Sequence, residues 1–207
     1  RLANDVIASV RPVVEGEGED DPELEHILGQ AYAYRAMCYL DLARLYEPKV
    51  NDYTDVRKVL GLTVPIVDEN TTIEQTKNNP RVKRDVMYKF IFDDLSKALE
   101  LLNPADVTFS RPTINAVYGM FARAYLELGY ANDPAFPREE AFTKASEYAR
   151  KVIDEGGFSP LTQSQWEDPV NGFNNGAASD SWIWGLTTSS ENTINIITFT
   201  AHISSEG

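Results

Sequence analysis

The chain has 207 residues, of which 32 are acidic and 19 are basic, so its formal charge is −13. This charge argues against a nucleic-acid-binding protein, because neutralising phosphates requires a basic surface. A run of about 18 apolar residues, as a membrane-spanning helix needs, is missing from the sequence. One cysteine excludes an intrachain disulfide, and two histidines beside it are too few for a structural zinc site.

Neither end of the sequence carries a structural signal. The chain starts at Arg1 without an apolar leader, and residues 203–207 offer no helix cap or charged tail. We therefore interpret the sequence as a segment of a longer protein, whose targeting signal lies outside it.

Helical periodicity dominates the first 158 residues. An apolar stripe that starts at Leu2 predicts a short helix ended by Pro12, and an acidic loop follows over residues 15–25. The next predicted helix runs over residues 23–46 and is apolar on two faces, which predicts neighbours on both sides. Cys38 lies on one of these faces, and we expect it to be a small core residue.

Further elements follow in order. An extended, partly buried connector is predicted over 60–67, and long helices over 82–102, over 113–129 and from Pro137 to 153. Thr113 is the predicted N-cap of the third long helix and Gly129 its C-cap. The chain therefore predicts an all-α fold with long loops.

Beyond residue 158 the helical pattern ends. A Gly/Asn-rich loop covers residues 166–180, and two short apolar runs follow over 181–186 and 193–200. These runs fit either strands or isolated extended segments. We predict one domain with three parts: a helix end and acidic loop (1–22), helical pairs (23–158), and a loop with short extended segments (159–207).

An internal repeat supports the helical prediction. The pattern Tyr39-x-x-Leu42-Ala43-Arg44-x-Tyr46 returns 79 residues later as Tyr118-x-x-Phe121-Ala122-Arg123-x-Tyr125. Small residues that alternate with aromatic ones at helical spacing are typical of stacked tetratricopeptide-like pairs. Two amphipathic helices that are similar by chance are the alternative.

No catalytic constellation is found in the sequence. A P-loop, a nucleophile elbow, a complete dinucleotide loop and an EF-hand are all missing, so we predict neither an enzyme nor a cofactor or metal site. Asp93 and Asp94 are adjacent and do not face each other on a helix, so we expect them to be solvated. His26 is expected at the surface of the first turn of its helix.

Three arginines and two tryptophans remain to be interpreted. Arg35, Arg44 and Arg123 lie among apolar helix positions, and we expect each to pair with a carboxylate or a helix-end carbonyl. Trp184 is expected in the core. An exposed tryptophan is a natural platform for the apolar face of a sugar ring.

Trp166 is balanced between two interpretations. It lies among polar residues in the loop region, where it is either a sugar platform or a core residue.

The order of these elements resembles the SusD/RagB family, the surface nutrient-binding lipoproteins of Bacteroidetes outer membranes. Five stretches carry the resemblance in the family's order: residues 33–46, 61–66, 81–99, 122–126 and 145–158. Two departures stand out: a lipidated N-terminal cysteine is absent, and Glu47 occupies a position where glycine is common. Family members are more than twice as long, so the chain would be an N-terminal portion.

The resemblance implies tetratricopeptide-like helical pairs with long decorating loops. It also implies a non-catalytic, cell-surface protein that binds oligosaccharide or peptide, is held by a lipid anchor outside this segment, and delivers its ligand to a SusC-like TonB-dependent transporter. The loop after the first long helix offers Asn51, Asp52 and Tyr53 as candidate ligand-binding residues, beside Trp166. The alternative is a tetratricopeptide-like adaptor that binds peptide or protein segments.

Overall fold

The computed structural model describes residues 1–16, 20–168, 170 and 180–185. Within these residues the architecture is helical, which confirms the predicted all-α fold class. The helices are α1 (Leu2–Val14), α2 (Pro22–Tyr46), α3 (Ile73–Thr76), α4 (Arg84–Leu101), α5 (Ile114–Ala131), α6 (Arg138–Arg150), which continues as a π-helical turn (Lys151–Glu155), and α7 (Gln163–Glu167).

The first helical pair consists of α2 and α4. The Asp21 side chain caps α2 by accepting hydrogen bonds from the N–H groups of Glu23 and Leu24. Gly29, near the start of α2, lies beside Leu101 at the end of α4, and Glu47, just after α2, lies beside Arg84 at the start of α4. The two helices are therefore antiparallel, and they supply much of the buried core: Leu28, Tyr32, Leu40, Met87, Ile91 and Leu95.

The second pair consists of α5 and α6. Thr113 accepts a hydrogen bond from the N–H of Ala116, as predicted for an N-cap. The rings of Phe121 and Tyr148 stack at 4.5 Å between the two helices, and Tyr125 stacks at 4.4 Å on Phe92 of the first pair. These rings join the two pairs into one core.

The internal repeat has a structural counterpart. Each copy lies on the first helix of a pair, and the arginines of the two copies reach across to the opposite helix. Arg44 on α2 binds Glu127 on α5 at 2.8 Å, and Arg123 on α5 lies 3.5 Å from Asp41 on α2. The predicted pairing of these arginines with carboxylates is confirmed.

The most buried ion pair lies inside the first pair of helices. Arg35 donates from Nε and Nη2 to the two carboxylate oxygens of Asp94, at 2.7 and 2.8 Å. Its Nη1 donates to Asn4 of α1 and to Glu69 of the connector. The Asp94 side chain is only 2% exposed. The expectation that Asp94 is solvated is therefore wrong, while Asp93 is exposed as expected.

Arg35 thus joins four parts of the chain. Burial would lower its pKa, but the carboxylates of Asp94 and Glu69 outweigh burial and raise it, so the guanidinium stays charged. Burial would likewise raise the pKa of Glu69, but the hydrogen bond and charge of Arg35 hold it below its usual value. The cluster fixes α1, α2, α4 and the connector relative to one another.

Two predicted helix boundaries are wrong. Pro12 lies inside α1, which continues to Val14. A proline so near the end of a helix removes one hydrogen bond without stopping the last residues. Gly129 is not a C-cap, because α5 continues to Ala131 and ends at Asn132 with φ of 51°. A Cβ atom on Gly129 would lie 2.5 Å from the ring of Phe142, so this glycine permits close packing of α6.

Two further expectations fail on the surfaces of α2. The predicted core residue Cys38 is exposed, as is Leu45 on the same predicted face. The predicted neighbours of α2 are nevertheless present, because α2 packs against both α1 and α4. His26 is not a surface residue, since its side chain is 13% exposed. Its Nε2 lies 3.0 Å from Asp106 Oδ2, and its Nδ1 accepts from the N–H of Asn103. His26 therefore joins the start of α2 to the loop after α4.

Asp106 predicts a specific pH dependence of stability. Burial would raise its pKa, but hydrogen bonds from Thr108 and Arg111 outweigh burial and lower it from 3.8 to about 2. A carboxylate whose pKa is lower in the folded state stabilises the protein above pH 3.8, and this stabilisation is lost as the pH falls towards 2.

We therefore expect the difference in unfolding free energy between the wild type and Asp106→Asn to shrink as the pH falls from 5 to 2. Screening by solvent keeps the change on the order of 1 kcal/mol. Urea unfolding at a series of pH values measures it. A difference that is constant over this range would contradict the assignment.

The last part of the chain is described only in pieces. Trp184 is half-buried rather than fully in the core, with its ring edge against Tyr34 at 5.4 Å between centroids. The N–H of Gly185 donates to the carbonyl of Phe109 at 2.8 Å. Residues 181–185 form no strand, and the apolar run 193–200 lies outside the described residues. The division of the domain into three parts stays a prediction.

Candidate functional site

A groove of about 970 Å³ lies between the two helical pairs. We call it the loop groove. Residues 48–50 and 58–62 form one wall at the two ends of the loop after α2, residues 83–85 form the start of α4, and residues 130–135 form the end of α5. Three separate elements of the helical scaffold thus meet at one concave surface, as is typical of ligand sites.

A buried ion-pair network holds these elements together. Arg84 lies at the first position of α4 and donates from Nη2 to Glu47 at the end of α2 and from Nη1 to Asp133 after α5, the latter at 3.0 Å. The Glu47 side chain is 3% exposed and that of Arg84 16%. Glu47 is therefore an anchor for the arginine that joins all three elements.

The charge state of Arg84 follows from this setting. Burial would lower its pKa, but the hydrogen bonds and charges of Glu47 and Asp133 raise it instead. Its Nε is buried without a hydrogen-bond partner among the described residues. Leaving a buried donor unpaired costs about 1–3 kcal/mol.

Tyr130 supplies an aromatic surface to the loop groove. It lies in the last turn of α5 and is 71% exposed. The ring of Phe142 on α6 supports it edge-on, with 5.3 Å between the centroids. An aromatic ring fixed from behind and open in front can pack against the apolar face of a flat ligand such as a sugar.

The predicted loop residues follow directly after Val50, which lines the groove, but are not themselves among its lining residues. Tyr53 is 94% exposed, and Asp52 is also exposed. The amide of Asn51 shapes the loop: its oxygen accepts from the N–H groups of Tyr53 and Thr54, and its nitrogen donates to the carbonyl of Lys49 at 3.1 Å. The last bond links the loop to the wall of the groove. The ligand-binding roles of Asn51, Asp52 and Tyr53 stay predictions.

Trp166 occupies a different element. It lies on α7, whose first turn is closed by a capping box between Thr162 and Gln165, and it is 60% exposed. Among the described residues, those that line the loop groove come from the α2–α4 region and from α5 and the turn after it, not from α7. None of the four predicted residues is therefore among the described lining residues of the loop groove, and Trp166 stays a separate predicted contact.

The described residues meet the requirements of neither a metal cluster nor a membrane-spanning helix. They contain no group of three or more histidine, cysteine, aspartate or glutamate side chains placed to hold a metal ion. In this part of the chain, no helix combines the length and apolar character needed to cross a membrane.

The sequence reasoning missed Tyr130 and Arg84. Tyr130 follows Gly129, which the sequence pattern assigns to the end of the helix, so the tyrosine falls into a connecting loop. A signal was available in Asn132, because asparagine adopts the left-handed conformation of a helix end more often than most other residues besides glycine. The role of Arg84 could not be recognised, because it depends on which elements meet in the fold, and a single sequence does not show this.

Comparison with known proteins identifies the family. The model of a SusD-like family, described as "starch-binding associating with outer membrane", matches residues 2–126, which is more than half of the chain. The chain belongs to the SusD/RagB family. The predicted resemblance is therefore confirmed. A search among curated proteins finds no match.

Solved structures of SusD-like proteins share the fold. A SusD-like carbohydrate binding protein from Bacteroides vulgatus is 24% identical, with a TM-score of 0.68 over 93% of this chain and 36% of that one. A SusD superfamily protein from Bacteroides thetaiotaomicron is 23% identical, with a TM-score of 0.59 over 79% of this chain and 32% of that one. A laminarin binding SusD-like protein is 16% identical, with a TM-score of 0.56 over 77% and 30%. This SusD-like chain thus spans about a third of the length of these relatives.

Proposed function

We propose that this SusD-like chain forms part of a non-catalytic glycan-binding protein of the outer membrane, and that the loop groove contributes to the glycan site. The observation that carries the proposal is the exposed ring of Tyr130, supported by Phe142, at a concave surface whose wall continues into the predicted loop. Sugar rings would pack on Tyr130 and on Tyr53, and hydroxyl groups would bind the polar side chains of the groove.

The family and its solved members support the proposal. The description of the family is starch-binding, and two SusD-like relatives have a xylogluco-oligosaccharide or laminarin in their names. We further propose delivery of the glycan to a SusC-like TonB-dependent transporter, with the protein held at the cell surface as a lipoprotein. The family description, which names association with the outer membrane, supports this location.

Affinity electrophoresis on a panel of polysaccharides tests the glycan site. We expect the wild type to be retarded by at least one polysaccharide, and Tyr130→Ala to weaken that binding about tenfold through the loss of one aromatic contact. Tyr53→Ala and Trp166→Ala are also expected to weaken binding without unfolding the protein. Tyr46→Ala is the matched control, because Tyr46 is 55% exposed and lies outside the lining of the groove.

Two results would contradict the proposal. Normal binding by Tyr130→Ala and Tyr53→Ala would move the site away from the loop groove while leaving a glycan-binding protein. Capture of peptide segments by a wild type that no polysaccharide retards would favour the tetratricopeptide-like adaptor. Turnover of a glycoside by the purified chain would contradict the non-catalytic assignment.

A further inference from the structure

Three lysines line the loop groove from different elements. Lys49 follows α2, Lys58 lies in the loop, and Lys83 is the N-cap residue of α4. All three are exposed, and within the described residues none of them lies within ion-pair distance of a carboxylate. Each lysine ammonium group is therefore available to a ligand in the groove.

Two of the three carboxylates that line the groove are paired with an arginine. Glu127 binds Arg44 at 2.8 Å, and Asp133 binds Arg84 at 3.0 Å. Asp85 is the remaining carboxylate in the lining. Over the whole lining, the three lysines and Arg84 face these three carboxylates, a net charge of +1. The ion-pair partners behind the lining, Arg44 and Glu47, cancel each other, so the groove is slightly positive.

This local sign is opposite to that of the chain, whose formal charge is −13. A strongly acidic protein repels anions in general, so an anionic ligand requires a surface where the field is reversed. A neutral sugar can accept hydrogen bonds from lysines, but only an anionic one also gains the attraction between opposite charges. The charge pattern therefore distinguishes between classes of glycan.

We infer that the loop groove takes an oligosaccharide with anionic substituents, either carboxylates or sulfates. The ammonium groups of Lys49, Lys58 and Lys83 bind the anionic groups, and Tyr130 packs on a sugar ring. This inference rests on the proposed glycan-binding function and names its substrate class.

Isothermal titration calorimetry with matched ligands tests the inference on the whole chain. Oligogalacturonate and its methyl ester form one pair, and sulfated and unsulfated dextran oligosaccharides form the other. We expect at least one anionic member to bind about tenfold more tightly than its neutral partner at low salt, and this preference to fall as salt is added. The pair that shows the preference identifies carboxylate or sulfate as the recognised group.

A charge-matched set of variants locates the effect. We expect the triple variant Lys49→Gln, Lys58→Gln, Lys83→Gln to lose about tenfold in affinity for the anionic ligand, since each exposed charge contributes only part of the preference. The control carries Lys77→Gln, Lys89→Gln and Lys144→Gln, which change the net charge equally outside the groove. The control should bind like the wild type.

The possible failures are distinguishable. Equal binding of charged and neutral ligands, or an anion preference that the groove variant retains, would overturn the inference and leave the proposed function in place. An equal loss in the control variant would also overturn it, because net charge would then explain the effect. If no glycan of either kind binds, both the inference and the proposed function fail.

Discussion

Replacing Arg35 with methionine should lower the free energy of unfolding by about 3–5 kcal/mol, the range for breaking a buried ion pair by removing one partner. The substitution leaves the carboxylate of Asp94, which is only 2% exposed, without its guanidinium, while Glu69 keeps its pair with Arg11. Methionine fills much of the volume of arginine, so the loss reports mainly on the charges. Urea unfolding followed by circular dichroism measures it.

Arg123→Met is the matched control for this prediction. Arg123 also pairs with an aspartate across two helices, but its side chain is 52% exposed and the contact to Asp41 is 3.5 Å long. Exposed pairs contribute about 0–1 kcal/mol. If the two variants lose similar stability, or Arg35→Met loses less than the control, the cluster around Arg35 does not hold the fold together as described.

Tyr39→Ala should have an effect of similar size, about 3–5 kcal/mol, as a large-to-small change in the core. Tyr39 is 8% exposed, and its ring lies edge-on to Phe90 at 5.2 Å. Its hydroxyl donates to the carbonyl of Val67 at 2.9 Å and accepts from the N–H of Val67 at 2.7 Å. The alanine variant therefore leaves a cavity and two unpaired backbone groups.

Tyr39→Phe separates these two contributions. It keeps the ring and removes the hydroxyl, so we expect a loss of about 1–3 kcal/mol from the unpaired groups of Val67. Thermal and urea unfolding of both variants measure the difference. A phenylalanine variant as unstable as the alanine variant would show that packing of the ring contributes little. Tyr125→Ala should cost less than Tyr39→Ala, because Tyr125 is only half-buried.

The helices could be predicted because local patterns determine them. Threonine is a favoured N-cap residue, and Thr113 indeed caps α5 by accepting a hydrogen bond from the N–H of Ala116. Local patterns do not show which element packs against a given helix face. Asp94 and Asp93 look alike in the sequence, but only Asp94 faces Arg35 across the pair. Cys38 was assigned to the core for a similar reason, since periodicity shows that a face is apolar and not that another element covers it.

The site was less predictable than the fold. The resemblance to the SusD/RagB family points to the loop with Asn51, Asp52 and Tyr53, whose ligand-binding roles stay predictions. The sequence did not indicate Tyr130 or the lysines, which lie far apart along the chain and meet only through the Arg84 network. Residues brought together by tertiary contacts carry no local signature. A second sequence with compensating changes at Glu47 and Arg84 would have supplied one.

The most direct test of the account is a crystal structure of the chain with the oligosaccharide that binds best in the titrations. We predict a sugar ring packed on Tyr130 in the loop groove, with its anionic groups within hydrogen-bond distance of at least one of Lys49, Lys58 and Lys83. An oligosaccharide that instead occupies the surface around Trp166, with the loop groove empty, would contradict it.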